Sequence, residues 1–167
     1  MKYSKVLAAT ALSFSLALGG PAFATERAEQ GRAVAVELSD HADPAIRAAA
    51  LLTLGQGAGS EERAALEQFK NSENQQERLA AGMALMLAKD RSAVAFTAGQ
   101  LKEAPRTFEV VRLMAAMLPA DQLRAVINET LKDGPANVRR DIFRFLASQN
   151  GELYQVLTRH AQGKDQE

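Results

Sequence analysis

The chain has 167 residues, with 20 basic and 20 acidic side chains and hence no formal net charge. That balance supplies no basic field to recruit nucleic acid or an anionic membrane. The absence of cysteine excludes disulfides, Cys–His chemistry and a lipoprotein-type acyl anchor. With 47% apolar residues, 5% aromatic ones and no Trp, the core has to be built from Ala, Leu, Val and Met. This composition suits close helix–helix contact better than a sandwich of β-branched strands.

The first elements read as an address. Lys2 and Lys5 precede an apolar run from Val6 to Leu18, too short for the roughly 20 residues that span a bilayer. Gly19, Gly20 and Pro21 then break any helix, and Ala22-Phe23-Ala24 is a small-x-small cleavage site. The order predicts a secretory signal peptide over 1–24, cut after Ala24, with no membrane insertion after cleavage. The expected mature chain then carries 18 basic residues against the 20 acidic ones, since Lys2 and Lys5 are lost. Periplasmic or secreted localisation follows.

Beyond the address only helices are predicted. The first covers Glu26–Leu38. Asp43-Pro44 opens the second as an N-cap followed by a proline whose missing N–H costs nothing. It stops at Gly55, expected to act as the glycine just past the helix end. Ser60 is the expected cap of a third helix over Glu61–Phe69. Asn74 caps a fourth ending near Ala88, and Asp90 or Ser92 opens a fifth ending at Leu101. Pro105 precedes a sixth over Thr107–Leu118, stopped by Pro119. Asp121–Leu131 is the seventh, Gly134-Pro135 opens an eighth ending near Ser148, and Glu152–His160 is the ninth. No alternating stretch outside these helices reads as a strand. The polar tail 162–167 is expected to be disordered.

Arg47, Arg78, Arg112 and Arg139 each stand near the start of one of the longer helices, spaced by 31 (47 to 78), 34 (78 to 112) and 27 (112 to 139) residues. Three residues after each lie Ala50, Ala81, Ala115 and Ile142. Seven after lie Leu54, Leu85, Pro119 and Leu146. Positions i, i+3 and i+7 share a helical face, so each arginine borders a buried stripe. A unit returning about every 30 residues predicts a helical repeat array. Each unit pairs a shorter helix with a longer, arginine-bearing one.

The segment Asp40-His41-Ala42-Asp43-Pro44-Ala45-Ile46-Arg47, continued by Ala48 to Gly55, resembles the second helix of a HEAT-like repeat, of the short bacterial type also seen in phycobilin lyases. Lys132 to Arg139, with Ile142 and Leu146, is a second match. The unit around Arg78 has Glu77 where the family prefers Val or Ile. The unit around Arg112 keeps Val111 but lacks the preceding aspartate. The resemblance spans about residues 26 to 148. It implies an all-α fold, an α-solenoid of about four HEAT-like helix pairs within 25–161, with the arginine helices on the concave side and the ninth helix as a C-terminal cap. It also implies a structural ladder of arginines and aspartates between neighbouring units: Asp43 with Arg47, Asp133 with Arg139, and Arg78 and Arg112 in the same row.

Sites for chemistry are scarce. Asp40, His41 and Asp43 form the only close cluster of metal-ligand types, although Asp43 has a simpler role as a cap. His160 stands near the end of the ninth helix, where a cation is favoured in any case. Gly55 to Ser60 superficially resembles a phosphate cradle, but it follows a helix and lacks Gly-Lys-Ser/Thr, so it reads as a turn. No cofactor and no catalytic set is expected. Arg140 and Arg144, at i and i+4 on the eighth helix, are the candidate partner-binding residues. The expected function is an exported protein-interaction module or adaptor that binds a protein partner along the concave face. Two alternatives stand beside it: a metal- or small-ligand-binding accessory subunit using the Asp40–Asp43 loop, and a compact helical bundle with a structural or stress role.

Overall fold

The computed structural model describes residues 21–149, and among them every regular element is an α-helix. In chain order these are α1 (Pro21–Ser39), α2 (Pro44–Gly55), α3 (Ser60–Phe69), α4 (Gln75–Leu87), α5 (Ala93–Lys102), α6 (Thr107–Met117), α7 (Ala120–Asp133) and α8 (Ala136–Ala147). The expected signal peptide up to residue 20, the ninth helix at 152–160, His160 and the tail 162–167 lie outside the described residues. Among the described residues, no helix is long and apolar enough to cross a membrane.

Local chemistry explains where the helices begin. The Asp43 carboxylate accepts from the Ala45 N–H at 2.9 Å, with Pro44 in the first turn. Asn74 Oδ1 accepts from the N–H groups of Gln76 (2.8 Å) and Glu77 (3.3 Å). Caps of this kind contribute about 1 kcal/mol each. Three of the differences from the expected bounds have a local cause. α1 begins at Pro21 instead of Glu26; proline fits a first turn, where its N–H is not needed. Ser60 is helical, and the Glu62 carboxylate reaches back to the Gly59 N–H (2.9 Å) as the start of α3. Gly55 is the last residue of α2, and Gly57 is the one that turns left-handed (φ 80°).

The chain divides within α4, between Ala84 and Leu85, into two compact units. In the first, α1 packs along α2 and α2 against α3. The end of α2 lies so close to α4 that a Cβ on Gly55 would sit 2.4 Å from the Ala84 carbonyl oxygen and 2.5 Å from its Cα. Leu51, Leu54, Leu66, Ala80, Ala81 and Ala84 are buried there. Alanine and glycine at such a contact let the helix backbones close up and keep interior density without large side chains.

In the second unit α5 packs on α7 and α6 on α8, each helix on the next but one. Its core holds Leu101, Val111, Met114, Val126, Ile127, Ile142 and Phe145. The turn into α5 is closed by the Asp90 N–H to the Leu85 carbonyl (2.9 Å) and the Lys89 N–H to the Met86 carbonyl (2.8 Å). This is a Schellman arrangement with Lys89 left-handed at φ 67°.

Candidate functional site

Two of the four arginines make the same set of bonds. Arg47 Nη1 donates to the carbonyls of His41 (2.6 Å) and Ala42 (3.0 Å), six and five residues before it. Arg78 Nη1 donates to the carbonyls of Ser72 (2.9 Å) and Glu73 (3.1 Å), again six and five residues before it. Each arginine therefore clamps the turn that leads into its own helix. These turn carbonyls lie outside any helix ladder, and a guanidinium with its fixed fork of donors satisfies two at once.

The rest of the Arg47 guanidinium meets Glu77. Nε lies 2.8 Å and Nη2 2.5 Å from Glu77 Oε1. Ser72 Oγ donates to Glu77 Oε2 at 2.6 Å and accepts from the Asn74 N–H. The Glu77 side chain is 4% exposed and that of Arg47 25%. A carboxylate so deeply placed is tolerable because both oxygens are engaged and the charge is paired. Glu77 thus occupies the stripe position where an aliphatic residue was expected, and it joins α4 to α2.

The expected pairing of Asp43 with Arg47 is corrected by this geometry. The Asp43 carboxylate is committed to the first turn of α2, and the acid that meets Arg47 comes from α4. Asp133 likewise pairs with Lys102, not with Arg139, and joins the ends of α7 and α5. The hydrogen bond and charge of Lys102 hold the Asp133 carboxyl below the usual carboxylate range. Arg112 is exposed and pairs with Glu109 within its own helix at 3.0 Å. It sits two residues deeper in α6 than Arg47 and Arg78 sit in α2 and α4, too far along to reach the preceding turn. Arg139 is exposed. The turn before it is only Gly134-Pro135, closed by the Gly134 N–H to the Thr130 carbonyl.

The Asp40–Asp43 loop does not gather its donors. His41 Nδ1 accepts from the Asp43 N–H at 3.0 Å, and the Asp43 carboxylate caps α2. Among the described residues no three such side chains form a group able to hold a metal ion.

The partner-binding candidates stand on α8. Arg140, Phe143, Arg144 and Ala147 are exposed and share one helical face. Arg144 is held in place, its guanidinium carbon lying 4.7 Å from the centroid of the Phe108 ring on α6. Phe108 in turn meets buried Phe145 edge to face, at 6.4 Å and 71°. The pair adds about 0.5–1.5 kcal/mol beyond its buried area, and the stacked cation about 0.5–1 kcal/mol. Arg144 borders an open cleft lined by Pro105, Arg106, Phe108, Glu109, Asp141 and Arg144. Among the described residues, neither Arg106 nor Arg144 has an ion-pair partner.

The chain matches no family model, no curated protein and no solved structure. The site is therefore read from its own geometry. Sequence reasoning named Arg140 and Arg144 as candidates, noted Glu77 only as a departure from the family, and did not single out Lys102 or Phe108. Glu77 had a signal, a carboxylate on a stripe otherwise apolar. Phe108 had a weaker one, as one of only seven phenylalanines. Lys102 had none, because a lysine in a last turn is favoured by the helix dipole alone.

Proposed function

We propose that the chain is an exported protein-interaction module, an α-solenoid of HEAT-like helix pairs that binds a protein partner through its arginine-bearing helices. The observation that carries this reading is the outer side of α6 and α8. Leu113 and Phe143 lie open to solvent there, 47% and 36% exposed. On α6 the stripe is Glu109, Arg112, Leu113 and Ala116, and on α8 it is Arg140, Phe143, Arg144 and Ala147, every one exposed. Aromatic, aliphatic and arginine side chains gathered on two packed helices are the composition of a binding surface.

The repeated clamp at Arg47 and Arg78, and the packing of α5 on α7 and α6 on α8, support the repeat architecture. In such arrays each unit contacts its neighbours and the faces left over bind partners. Repeats of one shape bind unrelated things, so the partner has to be found by experiment. Crosslinking in intact cells, in the compartment reached after export, tests the reading. A reproducible partner crosslinked through α6 and α8 is expected, and crosslinks confined to the chain itself would reject it. Solution scattering tests the architecture: a curved, elongated particle is expected, and a compact one would replace the solenoid with a bundle.

A further inference from the structure

We propose that the α6–α8 surface receives a short acidic peptide segment of the partner, its carboxylates meeting Arg106, Arg140 and Arg144 and an apolar side chain resting on Phe143. The inference deepens the protein-interaction reading and rests on it.

Arg144 is the anchor. The Phe108 ring, 4.7 Å from its guanidinium carbon, holds the group in place while the guanidinium has no ion-pair partner among the described residues. A planar fork held in place loses less side-chain freedom on binding than a free one, and its geometry matches a carboxylate in two parallel hydrogen bonds. Arg140 stands one turn earlier on the same face, and Arg106 lines the same cleft as Arg144. Neither has an ion-pair partner among the described residues.

Charge complementarity selects the occupant. Glu109 and Asp141 also line the cleft. A polyphosphate or nucleic acid backbone, with an anionic group at every step, would run against those two carboxylates. A peptide places its carboxylates discretely and leaves other positions neutral or basic, so it meets the arginines and passes the acids. Phe143, beside Arg144 in sequence and 36% exposed, supplies the apolar contact that a wholly charged ligand would waste.

The test is fluorescence anisotropy with the full chain and a labelled peptide of alternating Glu and Leu. Controls are the same peptide with Lys for Glu, and a single-stranded oligonucleotide. The acidic peptide is expected to bind, with affinity falling as salt rises. The double substitution Arg140→Gln and Arg144→Gln should weaken it by about tenfold or more. Phe108→Leu should weaken it less, and circular dichroism should show every variant folded. Equal binding of acidic and basic peptides, tighter binding of the oligonucleotide, or an unchanged affinity in the double variant would overturn the proposal. So would a tenfold gain on substituting Asp165→Asn and Glu167→Gln, which would make the chain's own tail the occupant. Native partners still crosslinked to α6 and α8 while the acidic peptide fails to bind would overturn the acidic chemistry and leave the interaction reading standing.

Discussion

Replacing Gly55 with alanine tests the close contact of α2 with α4. The new Cβ would meet the Ala84 oxygen at 2.4 Å, its Cα at 2.5 Å and its carbonyl carbon at 2.8 Å. Ordinary carbon contacts need about 3.5–4.0 Å, so α2 and α4 have to separate by roughly 1 Å. Every neighbouring atom is backbone, so no flexible side chain can absorb the change. Overpacking of this kind costs about 1–3 kcal/mol, and the backbone contact places it at the upper end. Alanine's better helix propensity offsets about 0.5–1 kcal/mol of that. The net is about 2 kcal/mol, a fall in Tm of roughly 4–8 °C for a chain of this size. Gly99→Ala is the control, because nothing lies within 4 Å of a Cβ there. It should raise Tm by a few degrees through propensity alone. Thermal unfolding followed by circular dichroism reads both, and a Gly55→Ala protein that melts at or above the parent would refute the close-approach argument.

Three further outcomes are expected. Arg47→Ala strands the buried Glu77 carboxylate with only Ser72 and should cost about 3 kcal/mol in urea unfolding; the value is at the low end for a broken buried pair because Arg47 is itself a quarter exposed. Arg47→Met with Glu77→Leu should recover most of that loss, and a loss below about 0.5 kcal/mol for Arg47→Ala alone would show that the pair does not hold α2 to α4. Lys89→Gly relieves a left-handed residue and should raise the unfolding free energy by about 0.5–1 kcal/mol, seen as a higher urea midpoint with an unchanged slope, so a lowered midpoint would count against the Schellman turn. Asp133→Asn should differ from the parent at neutral pH and converge with it in acid. The folded pKa of Asp133 is depressed, so its contribution is present above the unfolded pKa and is lost as pH falls through the folded one, below the usual carboxylate range. A difference in Tm that stays constant into strong acid would show that the Lys102 pairing adds nothing.

Most helix starts were legible because the caps are local chemistry. Asp43 and Asn74 needed only their own following N–H groups. The apolar stripe was legible in three of the four arginine helices: Ala50, Leu54, Ala81, Leu85, Ile142 and Leu146 are buried, whereas Ala115 is half-buried and Pro119 exposed. The arginine row was harder. Counting from arginine to arginine treated Arg112 as equivalent to Arg78, whereas α6 places Val110 at the fourth position that the arginine holds in α2 and α4. Pairing by sequence neighbourhood also misassigned the acids, since Arg47 and Asp133 find partners on the next helix but one. The hold of Phe108 on Arg144 was not readable at all. It depends on how α8 is rotated against α6, which no single helix pattern determines.

The arginine clamps set a ruler on two connections of the chain. Arg47 and Arg78 each span back to carbonyls five and six residues earlier, so the reach of one side chain fixes how many residues the turn contains. One residue inserted at 40–43 or 70–74 would carry those carbonyls out of range and strand the guanidinium. The stretch 56–59 carries no such clamp: Arg32 reaches the Gly57 carbonyl at 3.4 Å, and the tighter ties, buried Ala58 and the Gly59 N–H held by Glu62 at 2.9 Å, come only at its end. A reporter peptide or epitope therefore belongs between Gln56 and Gly57, both exposed and ahead of buried Ala58, and not in the two clamped turns.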